Sequence, residues 1–354
     1  MSTPLRFGII GCGLVSQWHG QSLKESPQAE LVAAWDMVPE MAAKFVGKYG
    51  GEVAESFEAI LGREDIDAVT VLTPNAYHEE YVVRAAEAGK HVLVEKPPEL
   101  SLTKVDHMIA ATEQAGVTFG VSLQVRFRQA MEALKAAVAG GRFGRLLEGD
   151  VYMKWYRPPD YYAPGTWRAS RAHGAGVTIQ QAFHYIDLLY YLVGRVARVE
   201  CRMSNLRHTG VNLEDTTVAL LEYENGAQGV VQASTAFYPG TDIRVEINGE
   251  RGTAIMQGER IATWQFEDEQ PGDETIRQIG RAEQATAAGD AAGLAHYEHM
   301  WLIEDFIEAV RTGRPPRVTG QEGRASLEIA LAMYQSSDEK RPVVLPLAQD
   351  YVVR

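Results

Sequence analysis

Only two cysteines, Cys12 and Cys201, occur in 354 residues. That is too few for a disulfide framework or a cysteine-built zinc centre, so a reducing cytoplasm is the expected location and no metal site is expected. Basic residues are also scarce: 34 Lys and Arg face 47 Asp and Glu, for a net charge of −13. This balance speaks against nucleic acid or an anionic membrane surface as a partner, because both select for clustered basic charge. No apolar run approaches the roughly 18 residues of a membrane span. Met1 to Arg6 lead straight into an apolar strand, without the apolar core and cleavage site of a secretory leader. Repeats and low-complexity tracts are missing too. What is present is 45% hydrophobic and 23% charged residues, the proportions of a globular chain rather than a disordered one. At about 150 residues per domain, the length predicts two domains.

Residues 1–122 alternate strand and helix signals. Phe7 to Ile10, Ala29 to Trp35, Ile66 to Leu72, His91 to Glu95 and Val117 to Val121 read as strands. Helical spacing appears over Met41 to Tyr49, His78 to Ala88 and Thr103 to Ala115. Strands alternating with helices of this length predict a parallel sheet with right-handed crossovers. Beyond residue 122 the pattern changes. Gln129 to Ala139 and Ile179 to Leu192 read as helices, and Leu146 to Tyr156 as a half-exposed strand. Residues 196–267 read as consecutive strands, with Asn225-Gly226 as a hairpin turn. Residues 268–293, rich in Asp, Glu, Gln, Gly and Ala, read as a long surface loop before helices at about 296–312 and 322–336. The expected fold class is therefore α/β over residues 1–122, as a doubly wound parallel sheet. An α+β domain with a large open antiparallel sheet is expected over residues 123–354.

The first strand ends in Gly8-Ile9-Ile10-Gly11-Cys12-Gly13-Leu14-Val15-Ser16, just before a helical stretch. Glycines there permit a tight turn and let backbone N–H groups approach a pyrophosphate at a helix N-terminus. Ser16 replaces the usual third glycine. Asp36 lies 23 residues after Gly13, at the end of the second strand, where an acid accepts hydrogen bonds from the adenosine ribose. Taken alone, Asp36 would read as a helix cap. Together, strand, glycine turn and acid predict a Rossmann dinucleotide site. A 2′-phosphate would meet the Asp36 carboxylate, and Met37 follows rather than an arginine, so NAD is expected over NADP.

Glu95-Lys96-Pro97 closes a buried strand at the edge where open α/β sheets bind ligands. Thr73-Pro74-Asn75 with His78, Gly144-Arg145, Trp167-Arg168, and Gly174-Ala175-Gly176 leading to His184-Tyr185-Ile186-Asp187 follow in order. In these motifs the whole chain resembles the Gfo/Idh/MocA oxidoreductases, which include glucose–fructose oxidoreductase and inositol dehydrogenase. The resemblance implies that Gly11, Gly13, Leu14 and Val15 contact the pyrophosphate and that Asp36 and Met37 flank the adenosine ribose. It further implies that Thr73, Asn75, His78 and Gln124 line the cofactor cleft, with Glu95 and Lys96 near the nicotinamide. Trp167 and Arg168 would reach the cofactor from the second domain. Lys96 would bind the reacting hydroxyl, and His184 would act as general base. Taken alone, a histidine on an apolar helical stripe reads as a core group. The resemblance also implies a homodimer or homotetramer formed through the antiparallel sheet.

Many family members carry an Asp where this chain has Gln180, four residues before His184. An amide cannot accept a proton, so the acid–base work falls to Lys96 and His184. The segment from Trp155 to Tyr162 and the run from Gln180 to Asp187 look most like the bacterial nucleotide-sugar 3-dehydrogenases. The implied substrate contacts are Lys96, Tyr156, Arg157, Tyr162, Arg168, Gln180 and His184, although Tyr161 and Tyr162 could equally fill an interdomain loop. The expected reaction is hydride transfer from a ring hydroxyl, at C3, of a sugar or nucleotide sugar to NAD. The alternatives are a free-sugar or inositol dehydrogenase, an NAD-dependent glycoside hydrolase using transient oxidation, and a non-catalytic NAD(H) sensor.

Overall fold

The computed structural model describes residues 3–163, 167–280 and 296–353. The chain divides into two compact units, Met1–Gln124 with Ala295–Arg324, and Val125–Leu294 with Ala325–Arg354.

In the first unit six strands form one parallel sheet: β1 (Leu5–Ile10), β2 (Ala29–Trp35), β3 (Glu52–Val53), β4 (Ala68–Val71), β5 (His91–Glu95) and β6 (Phe119–Ser122). The spatial order is β3-β2-β1-β4-β5-β6. The central strands are continuous apolar runs because helices cover both faces, and all four residues of β4 are buried. The connecting helices are α1 (Ser16–Glu25), α2 (Pro39–Tyr49), α3 (Phe57–Leu61), α4 (His78–Glu87) and α5 (Leu102–Ala115). Ser56 and Ser101 cap α3 and α5 by accepting the amides of Ala59 and Lys104, and left-handed Gly116 ends α5. The strand order reverses between β1 and β4, which opens a crevice at their carboxyl ends. A later helix, Tyr297–Thr312, returns to pack on α1, with Phe306 against Phe7 at 6.4 Å between ring centroids.

The second unit is built on eight strands: β7 (Leu146–Lys154), β8 (Val196–Ser204), β9 (Thr216–Tyr223), β10 (Gln228–Ser234), β11 (Arg244–Gly249), β12 (Gly252–Gln257), β13 (Arg260–Phe266) and β14 (Val343–Val344). Their order is β13-β12-β11-β7-β10-β9-β8-β14, antiparallel throughout except that β7 and β10 run parallel. One face is open: along β9, Ala219, Leu221 and Tyr223 point inward while Val218, Leu220 and Glu222 are exposed. Asn225-Gly226 makes the predicted hairpin between β9 and β10, with Gly226 at φ 85°.

The helices of this unit include α6 (Gln129–Ala139), α7 (Arg171–Gly174), α8 (Val177–Gln180) and α9 (Phe183–Val193); α8 and α9 pack on the sheet and α6 packs on α9. The helix expected over residues 179–192 is in fact two, broken at residues 181 and 182. Gln180 therefore ends α8 while His184 belongs to α9, and the single-helix spacing between them does not hold. Buried in this core, the Asp187 carboxylate accepts from Arg126 Nε at 2.8 Å, Arg126 Nη2 at 2.6 Å and Ser326 Oγ at 2.7 Å.

The expected loop over residues 268–293 also needs correcting in part. Asp273–Arg277 forms a helix, α10, because Asp273 ties it down by binding Arg142 and accepting from Trp264 Nε1 at 2.7 Å. Residues 281–293 lie outside the described residues. The chain ends with α11, the helix Tyr297–Thr312, and α12 (Gly320–Glu339). Among the described residues no helix is long and apolar enough to cross a membrane.

Candidate active site

At the carboxyl edge of the first sheet, the glycine turn hugs the end of β4. Gly11 takes φ +97°, and a Cβ there would press to about 2.9 Å on the backbone of Leu72, so only glycine fits. Gly13, by contrast, faces open space, which leaves its backbone accessible to a pyrophosphate. Ser16 takes over the third glycine's position and closes the turn by donating to the Gly13 carbonyl at 2.7 Å. Asp36 is oriented by two backbone amides: Oδ2 accepts from Cys12 at 2.7 Å and Oδ1 from Val38 at 2.8 Å. Met37 beside it is 81% exposed. Burial, reinforced by Asp36, pushes the Cys12 thiol up to about 12, so this cysteine is a packing residue rather than a nucleophile. Leu14 is exposed and Val15 half-buried at the mouth of the turn.

The second row of the site follows β4, β5 and β6. Glu95 Oε2 accepts from the Lys96 amide at 2.8 Å. Thr73 Oγ1, Glu95 Oε1, Ser122 Oγ and Gln124 Oε1 are buried with no hydrogen-bond partner among the described residues. Buried polar atoms in proteins are nearly always satisfied, so this group marks where a polar ligand belongs. A nicotinamide nucleotide, with its carboxamide and ribose hydroxyls, fits that donor and acceptor set. Ser122 was not expected at the site. It pairs in register with Glu95 across β5 and β6, a relation invisible in local sequence.

His78 departs from its expected place in the cleft. Its ring is fully buried, with Nδ1 at 3.0 Å from the Pro97 carbonyl and Nε2 at 2.8 Å from the Thr73 carbonyl. A neutral ring donates to only one of these two carbonyls, so His78 is a buried packing group between the Thr73 turn and the Lys96-Pro97 segment, and burial lowers its pKa, which favours that neutral form. Asn75 is likewise buried. His19 and His299 pack edge to face at 5.0 Å behind Glu95, with His19 Nε2 at 3.9 Å from Glu95 Oε1.

In the second unit, His184 is half-buried near the start of α9. Gln180 Nε2 donates to the carbonyls of Ala175 at 2.5 Å and Arg168 at 3.0 Å, so its amide organises backbone. The Arg168 guanidinium lies over the rings of Trp167 and Tyr161, at 4.6 and 5.5 Å. Arg157 lies over Trp155 and Tyr161, at 5.1 and 5.7 Å, and is itself buried. Tyr156 meets Tyr238 edge to face and carries the Arg207 guanidinium over its ring at 5.1 Å. Tyr162 does not line a substrate surface as expected. It is buried, bonded to Thr235 Oγ1 at 3.1 Å and packed on His208, because its apolar ring completes the core under the loop.

The loop over residues 205–213 folds around Asp215, whose carboxylate accepts from the amides of Leu206, Arg207 and His208 at 2.8–3.0 Å. Burial pushes this carboxyl up, but the hydrogen bond from the His208 ring and those amides outweigh it and hold it far below the usual carboxylate range.

Cofactor choice follows from Asp36 and exposed Met37. NADH is expected to bind at least ten-fold more tightly than NADPH, since the 2′-phosphate would meet a carboxylate with no arginine beside it. Titration of the purified protein with both cofactors checks this, and tighter binding of NADPH would overturn it.

Comparison with known proteins gives the same assignment for both units. Residues 5–123 match a family described as an oxidoreductase family with an NAD-binding Rossmann fold, and residues 131–255 match the GFO/IDH/MocA C-terminal domain. The chain is 31% identical over 348 residues to a myo-inositol 2-dehydrogenase of Thermotoga maritima, covering 96% of this chain and 98% of that one. It is 28% identical over 336 residues to a 1,5-anhydro-D-fructose reductase of Ensifer adhaerens, covering 94% and 96%. Among solved structures it is similar to the WlbA dehydrogenase of Bordetella pertussis in complex with NADH and UDP-GlcNAcA. There the TM-score is 0.88 and the identity 31%, over 98% of this chain and 99% of that chain. With an NAD-binding Rossmann unit, a glycine turn open at Gly13 and the motifs of both domains in place, the chain belongs to the GFO/IDH/MocA family of NAD-dependent sugar and polyol dehydrogenases.

Proposed function

We propose that this protein oxidises a ring hydroxyl, at C3, of a nucleotide sugar, with Lys96 and His184 as its acid–base pair. The observation that carries this reading is the set of arginines laid over aromatic rings in the second unit: Arg168 over Trp167 and Tyr161, and Arg207 over Tyr156. Planar guanidinium groups suit the oxygens of a diphosphate or uronate, and flat rings suit a sugar or base. The likeness to a dehydrogenase whose complex holds UDP-GlcNAcA supports the same class. Gln180, in place of the more usual Asp, supports it further by removing a proton acceptor.

NAD, when bound, supplies the carbon that receives hydride. The Lys96 ammonium holds the reacting hydroxyl oxygen and stabilises the negative charge that develops on it. A ring nitrogen of His184 accepts the hydroxyl proton, which a histidine does well near neutral pH. Glu95 fixes the start of the Lys96 segment through the Lys96 amide.

A second reading, an inositol or free-sugar dehydrogenase, is supported by the identity to the Thermotoga enzyme. The deciding assay is NADH formation at saturating NAD across UDP-sugars, free hexoses, uronic acids and inositols. Turnover confined to UDP-sugars is expected. Turnover on inositols or free sugars would replace the nucleotide-sugar reading with the second one. Silence across the panel, with cofactor retained through purification, would redirect the search to redox-neutral cleavage of glycosides.

A further inference from the structure

The short turn that leads into α8 is over-determined. Ala175 takes φ 53° and ψ −172°, a conformation that a residue with a Cβ keeps only when its surroundings impose it. The surroundings here are specific. Gly176 lies flat against Glu214, and a Cβ on it would collide with both the Glu214 carbonyl and its carboxyl group. The Tyr334 hydroxyl accepts from the Gly176 amide at 3.1 Å and donates to Glu214 Oε1 at 2.5 Å. That same oxygen accepts from the Thr178 amide at 3.1 Å, and the Glu214 carbonyl accepts from the Val177 amide at 3.0 Å. On the other side of the turn, Gln180 ties down the carbonyl of Ala175.

Glu214 and Tyr334 are buried and lie 120 residues apart in the chain. Burial raises the pKa of the Glu214 carboxyl, and that of the Tyr334 hydroxyl well above its ordinary value. A pair of neutral hydrogen-bonding groups is therefore favoured over buried ions. Isolated polar groups are costly in a core, yet this pair is spent on two amides, those of Gly176 and Thr178, at the entrance to α8 and the segment that leads to α9.

We propose that Glu214 and Tyr334 are positioning residues: they lock the turn over residues 174–176 and thereby set where Gln180 and His184 are presented for reaction. The inference deepens the proposed function and rests on the role given there to His184. It assigns work to two buried residues outside the set expected at the site.

Tyr334→Phe removes one oxygen and keeps the ring. In the holoenzyme it is expected to lower kcat at least ten-fold while NADH affinity, measured by fluorescence, stays near wild type and the thermal midpoint falls by only a few degrees for the unpaired Gly176 amide. Glu214→Gln keeps an acceptor for both the Tyr334 hydroxyl and the Thr178 amide, so it is expected to stay within about three-fold of wild-type kcat. Glu214→Ala is expected to fall with Tyr334→Phe. Wild-type kcat in Tyr334→Phe would overturn the proposal. So would a loss of kcat that tracks thermal midpoint or NADH affinity across the three variants, since a merely structural role moves these together. His184→Ala is assayed alongside. If it retains turnover, the acid–base reading itself fails. If it loses turnover while Tyr334→Phe does not, only the positioning role fails.

Discussion

Lys96→Met is expected to cut kcat by about 10²–10⁴-fold, the range for losing a positioned proton donor or charge stabiliser, while NADH binding stays within a few-fold. The expectation follows from where the chain puts the residue. Lys96 leaves β5 at the carboxyl edge of a doubly wound sheet, beside the strand-order reversal where such sheets bind ligands. Its backbone is held by Glu95 Oε2 on its amide, and the buried His78 ring packs against the Pro97 carbonyl that follows. Methionine preserves the length of the stem and the packing but removes the ammonium, so a loss of kcat without a loss of cofactor affinity isolates the charge. Steady-state kinetics combined with NADH fluorescence titration measures both. Unchanged kcat would remove Lys96 from the mechanism and leave His184 to act with some other group.

The largest expected effect on stability lies far from the chemistry. Asp187→Ala is expected to destabilise the protein by about 3–5 kcal/mol, the cost of removing one partner of a buried ion pair. The Arg126 and Asp187 side chains are 2% and 1% exposed and share two hydrogen bonds, with Ser326 as a third donor to the carboxylate. Removing the carboxylate takes two hydrogen bonds from a guanidinium that lies over the Tyr191 ring at 4.6 Å and is shielded from bulk water. Replacing both partners at once, as Arg126→Met with Asp187→Leu, is expected to recover most of the loss, because neither charge then remains buried. Denaturant unfolding of the single and double variants tests this. Equal destabilisation by the single and double changes would show that the cost comes from packing rather than from an unpaired charge. Asp187 lies three residues after His184, so the same motif joins a residue proposed for chemistry to one that anchors the helix carrying it.

Much of the first unit was legible before any coordinates. Strands buried on both faces read as unbroken apolar runs, and β2 and β5 begin and end where their residues predict. The glycine turn and Asp36 announce a dinucleotide site because the backbone conformation and the close approach admit few other residues. The second unit was legible in outline only. Alternation located β9 and β10, and Asn225-Gly226 located their turn, but the parallel pairing of β7 with β10 involves strands that no local signal connects. The continuous apolar spacing over residues 179–192 hides a break, since a helical period survives the interruption while the backbone does not.

Side-chain roles divided along the same line. Lys96, His184 and Asp36 stand out in their motifs because each is a residue type suited to a particular proton, charge or hydroxyl. That His78 and Tyr162 are buried packing residues depends on neighbours distant in sequence. Ser122 joins the site through its register with Glu95, and Tyr334 meets Glu214 across 120 residues. By itself the sequence determined the class of fold, the cofactor and the family, since these depend on local period, turn geometry and residue chemistry. Tertiary structure alone decided which polar groups are enclosed, which are paired and which buried ones are left without a protein partner, since those depend on contacts between residues far apart in the chain.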